Sequence, residues 1–166
     1  MELWDGYRRD GALAHVDLVR GEPVPEGLYH LVCEIIVEHQ DGSILAMQRD
    51  PNKPNHPGAW ETTAGGSALK GEDALACAKR ELYEETGILV SELTLLGREV
   101  SDPAHSIFYM YRAELAGKKP EIILQPGETV DCRWIPPEEF PEFVAHDMIP
   151  SQRRRYHAFL LERGYL

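Results

Sequence analysis

The chain has 166 residues, 43% hydrophobic and 27% charged, the balance of one globular domain with a sizeable core. A formal net charge of −11 and a pI near 5.0 argue against DNA, RNA or anionic membrane as partners, since those need basic surfaces; free nucleotides stay compatible because metal ions bridge like charges. Cys33, Cys77 and Cys132 are odd in number and lack close pairing, which argues against a disulfide-stapled secreted protein and for a reduced, cytoplasmic one whose three thiols are buried as small apolar groups.

The opening MELWDGYRRDG carries no basic-then-apolar leader, and no apolar run approaches membrane-spanning length. Trp4 and Tyr7, ahead of the turn Arg9-Asp10-Gly11, predict a strand paired with one near Ala12 to Val19. Residues 1–28 are thus a strand pair or extension of a single domain spanning 1–166. Aromatics so placed fill a core or a homodimer contact more often than they stack on a nucleobase. The run LYHLVCEIIVEH (28–39) reads as a mostly buried strand, joined through Gln40-Asp41-Gly42 to SILAMQR (43–49) as a hairpin. DPNKPNHPG (50–58) is too rich in proline and asparagine for regular structure. Arg49, Lys53 and His56 lie on or beside this loop; Arg49 is favoured for phosphate contact because a guanidinium matches phosphate oxygens, and Lys53 is a second candidate. Trp60 to Ala64 reads as a short strand delivering Gly65 and Gly66, with Trp60 in the core.

The next segment predicts a helix starting near Glu72 or Asp73, with Gly71 an acceptable N-cap and Gly87 the stop. Leu75, Ala78 and Leu82 mark its buried side. Glu81, Glu84 and Glu85, spaced three and four apart, share another face well rotated from that seam. Three like charges repel unless a cation neutralises them, and an all-carboxylate cluster suits Mg2+ or Mn2+. Arg80 offsets part of the repulsion and reaches back to Glu72. Beyond this helix LTLLGREV, SIFYMYRAEL and VDCRWI read as strands, Pro136 to Phe140 as the start of a short helix, and SQRRRYHAFLLERG as one closing helix. Arg153, Arg154 and Arg155 read as a solvated or dimer-facing surface.

The pattern Gly66-x5-Glu72-x7-Arg80-Glu81-Leu82-x-Glu84-Glu85-x-Gly87-Ile88 resembles the Nudix box at every defined position, over 23 of the 166 residues. The resemblance implies a Nudix hydrolase: an α/β fold, an α/β/α sandwich with a mixed central sheet, which uses a divalent metal to cleave nucleoside diphosphates linked to another moiety. It makes Glu81, Glu84, Glu85 and the Gly65 carbonyl metal ligands, with Glu72 and Arg80 as supports, and it brings Gly66 close to substrate phosphates. The proton acceptor is a box glutamate or an acid of a later loop, for which Glu128 is the outside candidate.

Two rivals follow. A non-catalytic nucleotide sensor on the same fold would retain repelling carboxylates without catalytic return. Segments 30–36 and 48–60 also resemble isopentenyl diphosphate isomerase, but residues 61–71 hold no cysteine where that enzyme needs one. Pro103, fifteen residues beyond Ile88, resembles a placement in Nudix hydrolases acting on ADP-ribose, and Phe108, Tyr109 and Tyr111 follow on a strand with one face free for an adenine ring. This points to a nucleotide-sugar or dinucleotide in preference to a nucleoside triphosphate.

Overall fold

From Leu31 to Val37 the chain is apolar at every position but Glu34, so a strand here must be covered on both faces. In the computed structural model, which describes all 166 residues, it is. The strands in chain order are β1 (Leu3–Tyr7), β2 (Leu13–Val19), β3 (His30–His39), β4 (Ile44–Arg49), β5 (Trp60–Glu61), β6 (Thr63–Ser67), β7 (Thr94–Ser101), β8 (Ser106–Leu115) and β9 (Thr129–Ile135). The helices are α1 (Ala74–Thr86), α2 (Phe140–His146), α3 (Pro150–Arg155) and α4 (His157–Glu162).

β3 is the axis. One edge runs parallel to β8 from His30↔Ser106 to His39↔Leu115, and the other is shared between antiparallel β6 and the start of β4. β9 and β5 add to β4, and β7 adds to β8, giving a mixed seven-stranded sheet. Because side chains alternate along a strand, parity decides which layer each residue joins. Leu31, Cys33, Ile35 and Val37 of β3, with Ile107 and Tyr111 of β8, meet Cys77, Ala78 and Leu82 of α1. Ile36, Ile44, Ala46 and Met110 point the other way, onto Phe140, Val144, Tyr156 and Leu160 from α2, α4 and the link before α4. The result is the expected α/β/α sandwich.

Several local expectations change. α1 is capped by Asp73, whose side chain accepts from the Ala76 N–H, rather than by Gly71, while Gly87 closes it in a left-handed conformation. Leu75 is 40% exposed; the buried stripe runs through Cys77, Ala78, Leu82, Glu85 and Thr86, which brings Glu85 onto the core side instead of a rotated face. Cys132 is half-buried. Trp60 is half-buried under the Arg133 guanidinium, and its strand breaks at Thr62, so β5 joins β4 while β6 joins β3. The closing helix is two, divided at Tyr156, whose buried ring fills the second core layer.

β1 and β2 form their own antiparallel sheet, tied to the rest by a Tyr7↔Tyr29 bridge. Trp4 is buried against His30, ring centroids 4.2 Å apart. The Gly71 N–H donates to Asp5 (2.7 Å), the Lys70 N–H to the Leu3 carbonyl, and Lys70 Nζ to Asp17 (2.6 Å), so this hairpin clasps the loop ahead of α1.

Candidate functional site

β6, the loop after it and α1 build one wall of a cleft of about 730 Å³. Glycine is demanded at Gly65, where a Cβ would overlap the Cys33 carbonyl, and a Cβ on Gly66 would lie 2.6 Å from the Glu81 carboxylate and displace it. Backbone and carboxylates therefore meet here without intervening side chains.

Arg80 organises this wall. Its guanidinium donates to both oxygens of Glu72 (2.7 and 2.9 Å), to Glu81 (2.7 Å), to Glu84 (3.2 Å) and to the Ser67 carbonyl (3.1 Å). Glu72 also accepts from the Leu69 N–H (2.9 Å), and the Arg80 hydrogen bond holds its carboxyl below the usual range. Glu85 lies deeper and has no cationic partner; its side chain accepts only from the Gly65 N–H (3.1 Å). Burial, then Glu61 and Glu81, pushes the Glu85 carboxyl well above its ordinary value. Burial likewise raises Glu81 against the opposing pull of Arg80.

Arg49, Lys53, Glu128 and Phe108, also singled out from sequence, reach the same cleft, each already engaged. Arg49 donates to Glu61 (2.8 Å) and to the Asn55 carbonyl (3.0 Å), Lys53 pairs with Glu128, and the Phe108 ring lies 4.1 Å beneath the Arg155 guanidinium. No three acidic, histidine or cysteine side chains are gathered at ligand spacing, since Glu81 and Glu84 both lean to Arg80. The donor set is nevertheless the hard-oxygen kind that divalent cations take, and Glu85 is a buried carboxylate lacking a counter-charge.

Sequence reasoning missed the opposite wall. Arg155 is not solvated: its side chain is 7% exposed and pairs with Glu34, with Nε 2.8 Å from Oε2. Gln152 donates to Glu61 (3.0 Å) and Thr63 (2.8 Å), and Glu2 and Arg20 of the amino-terminal hairpin close one end. The one signal was an acid at position 34 inside an apolar run, which demands a partner from elsewhere in the chain. Pro103 does not line the cleft; its turn is anchored by Asp102 to Arg9 and Tyr29. Parity sends Tyr109 and Tyr111 to the α1 layer, leaving Phe108 as the cleft aromatic.

A family model described as the NUDIX domain matches residues 28–159. An uncharacterised Nudix hydrolase of Listeria monocytogenes is 30% identical over 144 residues, 84% of this chain and 82% of that protein. An isopentenyl-diphosphate delta-isomerase of Rhodobacter capsulatus is 30% identical over 118 residues, 66% of this chain and 65% of its own length. An NAD-capped RNA hydrolase of Pseudomonas putida is 35% identical over 89 residues, 54% of this chain but only 29% of that protein. In fold, a crystal structure from Deinococcus radiodurans superposes with a TM-score of 0.68 at 21% identity, covering 87% of this chain and 89% of the other.

Proposed function

This chain belongs to the Nudix hydrolase family, and we propose that it cleaves the phosphoanhydride bond of a nucleoside diphosphate linked to another moiety. The observation that carries the reading is Glu85, a buried carboxylate with no basic partner on the wall where Glu81 and Glu84 outnumber Arg80. Mg2+ or Mn2+, held by Glu81, Glu84, Glu85 and the Gly65 carbonyl, would supply the positive charge that polarises the phosphorus and activates water.

The chain's own groups do the rest. Arg80 keeps the glutamates oriented by hydrogen bonds from a fixed guanidinium. Arg49 and Lys53 face the cleft beside the acids they pair with, where arriving phosphate oxygens compete for their N–H groups. Two carboxylates can accept the proton of water: Glu84, 43% exposed at the mouth, and Glu128, steadied by Lys53. Phe108 offers an apolar face for the group beyond the diphosphate. No helix is long and apolar enough to cross a membrane. We place the protein in the cytoplasm on its three free thiols and read residues 1–166 as one domain.

Isomerisation is disfavoured by the thiols. Cys33 and Cys77 are buried and donate to the Ala74 and Gly66 carbonyls, and the adjacent Cys33 and burial push the Cys77 thiol far up, so neither is exposed as a nucleophile. The deciding experiment incubates the protein with Mg2+ and ADP-ribose, NADH, diadenosine polyphosphates, CoA and oxidised dGTP. We expect phosphate-containing products, abolished by EDTA, with ADP-ribose or a dinucleotide ranked above the triphosphate. Tight binding without turnover of any compound would make the protein a sensor, and full turnover in excess EDTA would remove the metal from the reading.

A further inference from the structure

Every Lys or Arg lining the main cleft is already in an ion pair: Arg20 with Glu2, Arg49 with Glu61, Lys53 with Glu128, Arg80 with three glutamates and Arg155 with Glu34. A second cavity of about 540 Å³ adjoins it, sharing His56 and Ile149. Its character is opposite. Arg153, Arg154, His56, His146 and His157 line it with a single acid, Asp147, in a chain whose net charge is −11, and Glu142 lies 3.4 Å from the His146 ring. Arg153 and His157 are exposed and make no side-chain hydrogen bond or ion pair; Arg154 holds Glu99 (2.8 Å) with its side chain still 61% exposed. At the junction of the two cavities His56 adopts φ 49°, a left-handed backbone that residues other than glycine enter at a cost.

Basic side chains cost nothing while hydrated, but gathering two arginines and three imidazoles on one concave surface raises the local potential and selects anions. A guanidinium with free N–H groups beside imidazoles presents the donors that a phosphate accepts in pairs. The volume lies within the usual range for small-ligand sites. We propose that this groove is a phosphate subsite, which takes a phosphate group of the molecule whose diphosphate occupies the main cleft. The identity of that molecule rests on the hydrolase reading; the affinity of the groove for phosphate does not.

The test begins with metal-free protein and inorganic phosphate, following the imidazole NMR signals of His146 and His157. We expect saturable shifts in wild type, affinity reduced at least tenfold in Arg153→Glu, and retention in Arg153→Lys. Shifts that are absent, or equal in wild type and Arg153→Glu, overturn the subsite whatever the enzyme hydrolyses. A second arm compares ADP-ribose with the same compound phosphorylated on its terminal ribose. Arg153→Glu raises KM at least tenfold for the phosphorylated compound, leaving kcat of both and KM of the other unchanged. Saturable phosphate shifts with no such KM split overturn the substrate assignment and make free phosphate the ligand. If neither compound is turned over, the hydrolase reading falls on these substrates, and the NMR arm still decides the groove.

Discussion

The two walls of the cleft solve the problem of buried charge in opposite ways. On the α3 wall one arginine meets one glutamate: Arg155 and Glu34 are both buried, hydrogen-bonded and balanced. On the α1 wall one arginine meets three glutamates while a fourth, Glu85, has no basic partner at all. A neutral pair already satisfied has nothing to offer a cation, whereas a surplus of acids is held apart from its lowest energy until a cation arrives. The first wall is architecture that supports Phe108; the second is where we place the metal.

That contrast can be broken most severely at Arg155. Arg155→Ala strands the Glu34 carboxylate in a buried position, and we expect a loss of about 3–5 kcal/mol in urea unfolding. Glu34→Gln with Arg155→Met, which removes both charges, should recover most of it. A loss below about 1 kcal/mol would mean the pair is not the balanced structural unit described here.

On the other wall the effect moves from stability to activity. Glu85→Gln and Glu84→Gln should each lower kcat by about 100-fold or more in Mg2+ while leaving the metal-free melting temperature equal or higher, since a repelling charge has gone. Full turnover in both variants would remove them from the reaction. Arg80→Ala falls between the walls. It should weaken metal affinity by about 10–100-fold and lower the melting temperature together, because the same guanidinium holds Glu72, Glu81, Glu84 and the Ser67 carbonyl. Equal metal titrations and equal melting curves would refute it.

The smallest effect is pH. Burial lifts the carboxyls of Glu34, Glu81 and Glu85 above their ordinary values in the folded state. The folded protein then binds those protons more tightly than the unfolded chain does. This stabilising contribution is complete below the ordinary carboxylate value and is lost as pH rises through the raised ones. Metal-free protein should melt higher as pH falls from neutrality toward the ordinary carboxylate range, and Glu85→Gln should flatten that slope. Glu72 and Asp102, held low chiefly by hydrogen bonds from Arg80 and Arg9, act with opposite sign, but only below that range. A wild-type profile parallel to that of Glu85→Gln would place the raised groups elsewhere.

How much of this was legible in the sequence depended on the range of the interaction. β8 was read from SIFYMYRAEL because alternation and β-branched or aromatic residues are local signals, and Arg80, Glu81 and Glu84 share one helix, where spacing alone brings them together. Ala78 and Leu82 were read correctly onto the buried stripe of α1, but two positions were misplaced: acidic Glu85 lies on it, while the hydrophobic Leu75 sits outside it. Arg155 looked like one of three surface arginines because its partner Glu34 is 121 positions away. The break at Tyr156 has no glycine or proline to announce it; only packing of that ring beneath the sheet explains it. Glu2 and Arg20 reach the cleft through the clasp of the first hairpin on the loop at Lys70 and Gly71, a tertiary contact with no local mark.

The parallel pairing of β3 with β8 also orders events in time. Hairpins such as β1–β2 and β7–β8 close over short loops, but β3 cannot find β8 until everything between them, including α1, has been made and gathered. The carboxylates of α1 can exist as a helix before then, yet Gly65 is pressed against Cys33 only once β6 pairs with β3, and Glu85 is buried only once α1 packs on that sheet. Catalytic competence should therefore be among the last properties a refolding chain acquires, arriving with the central sheet and not with the helix that carries the acids.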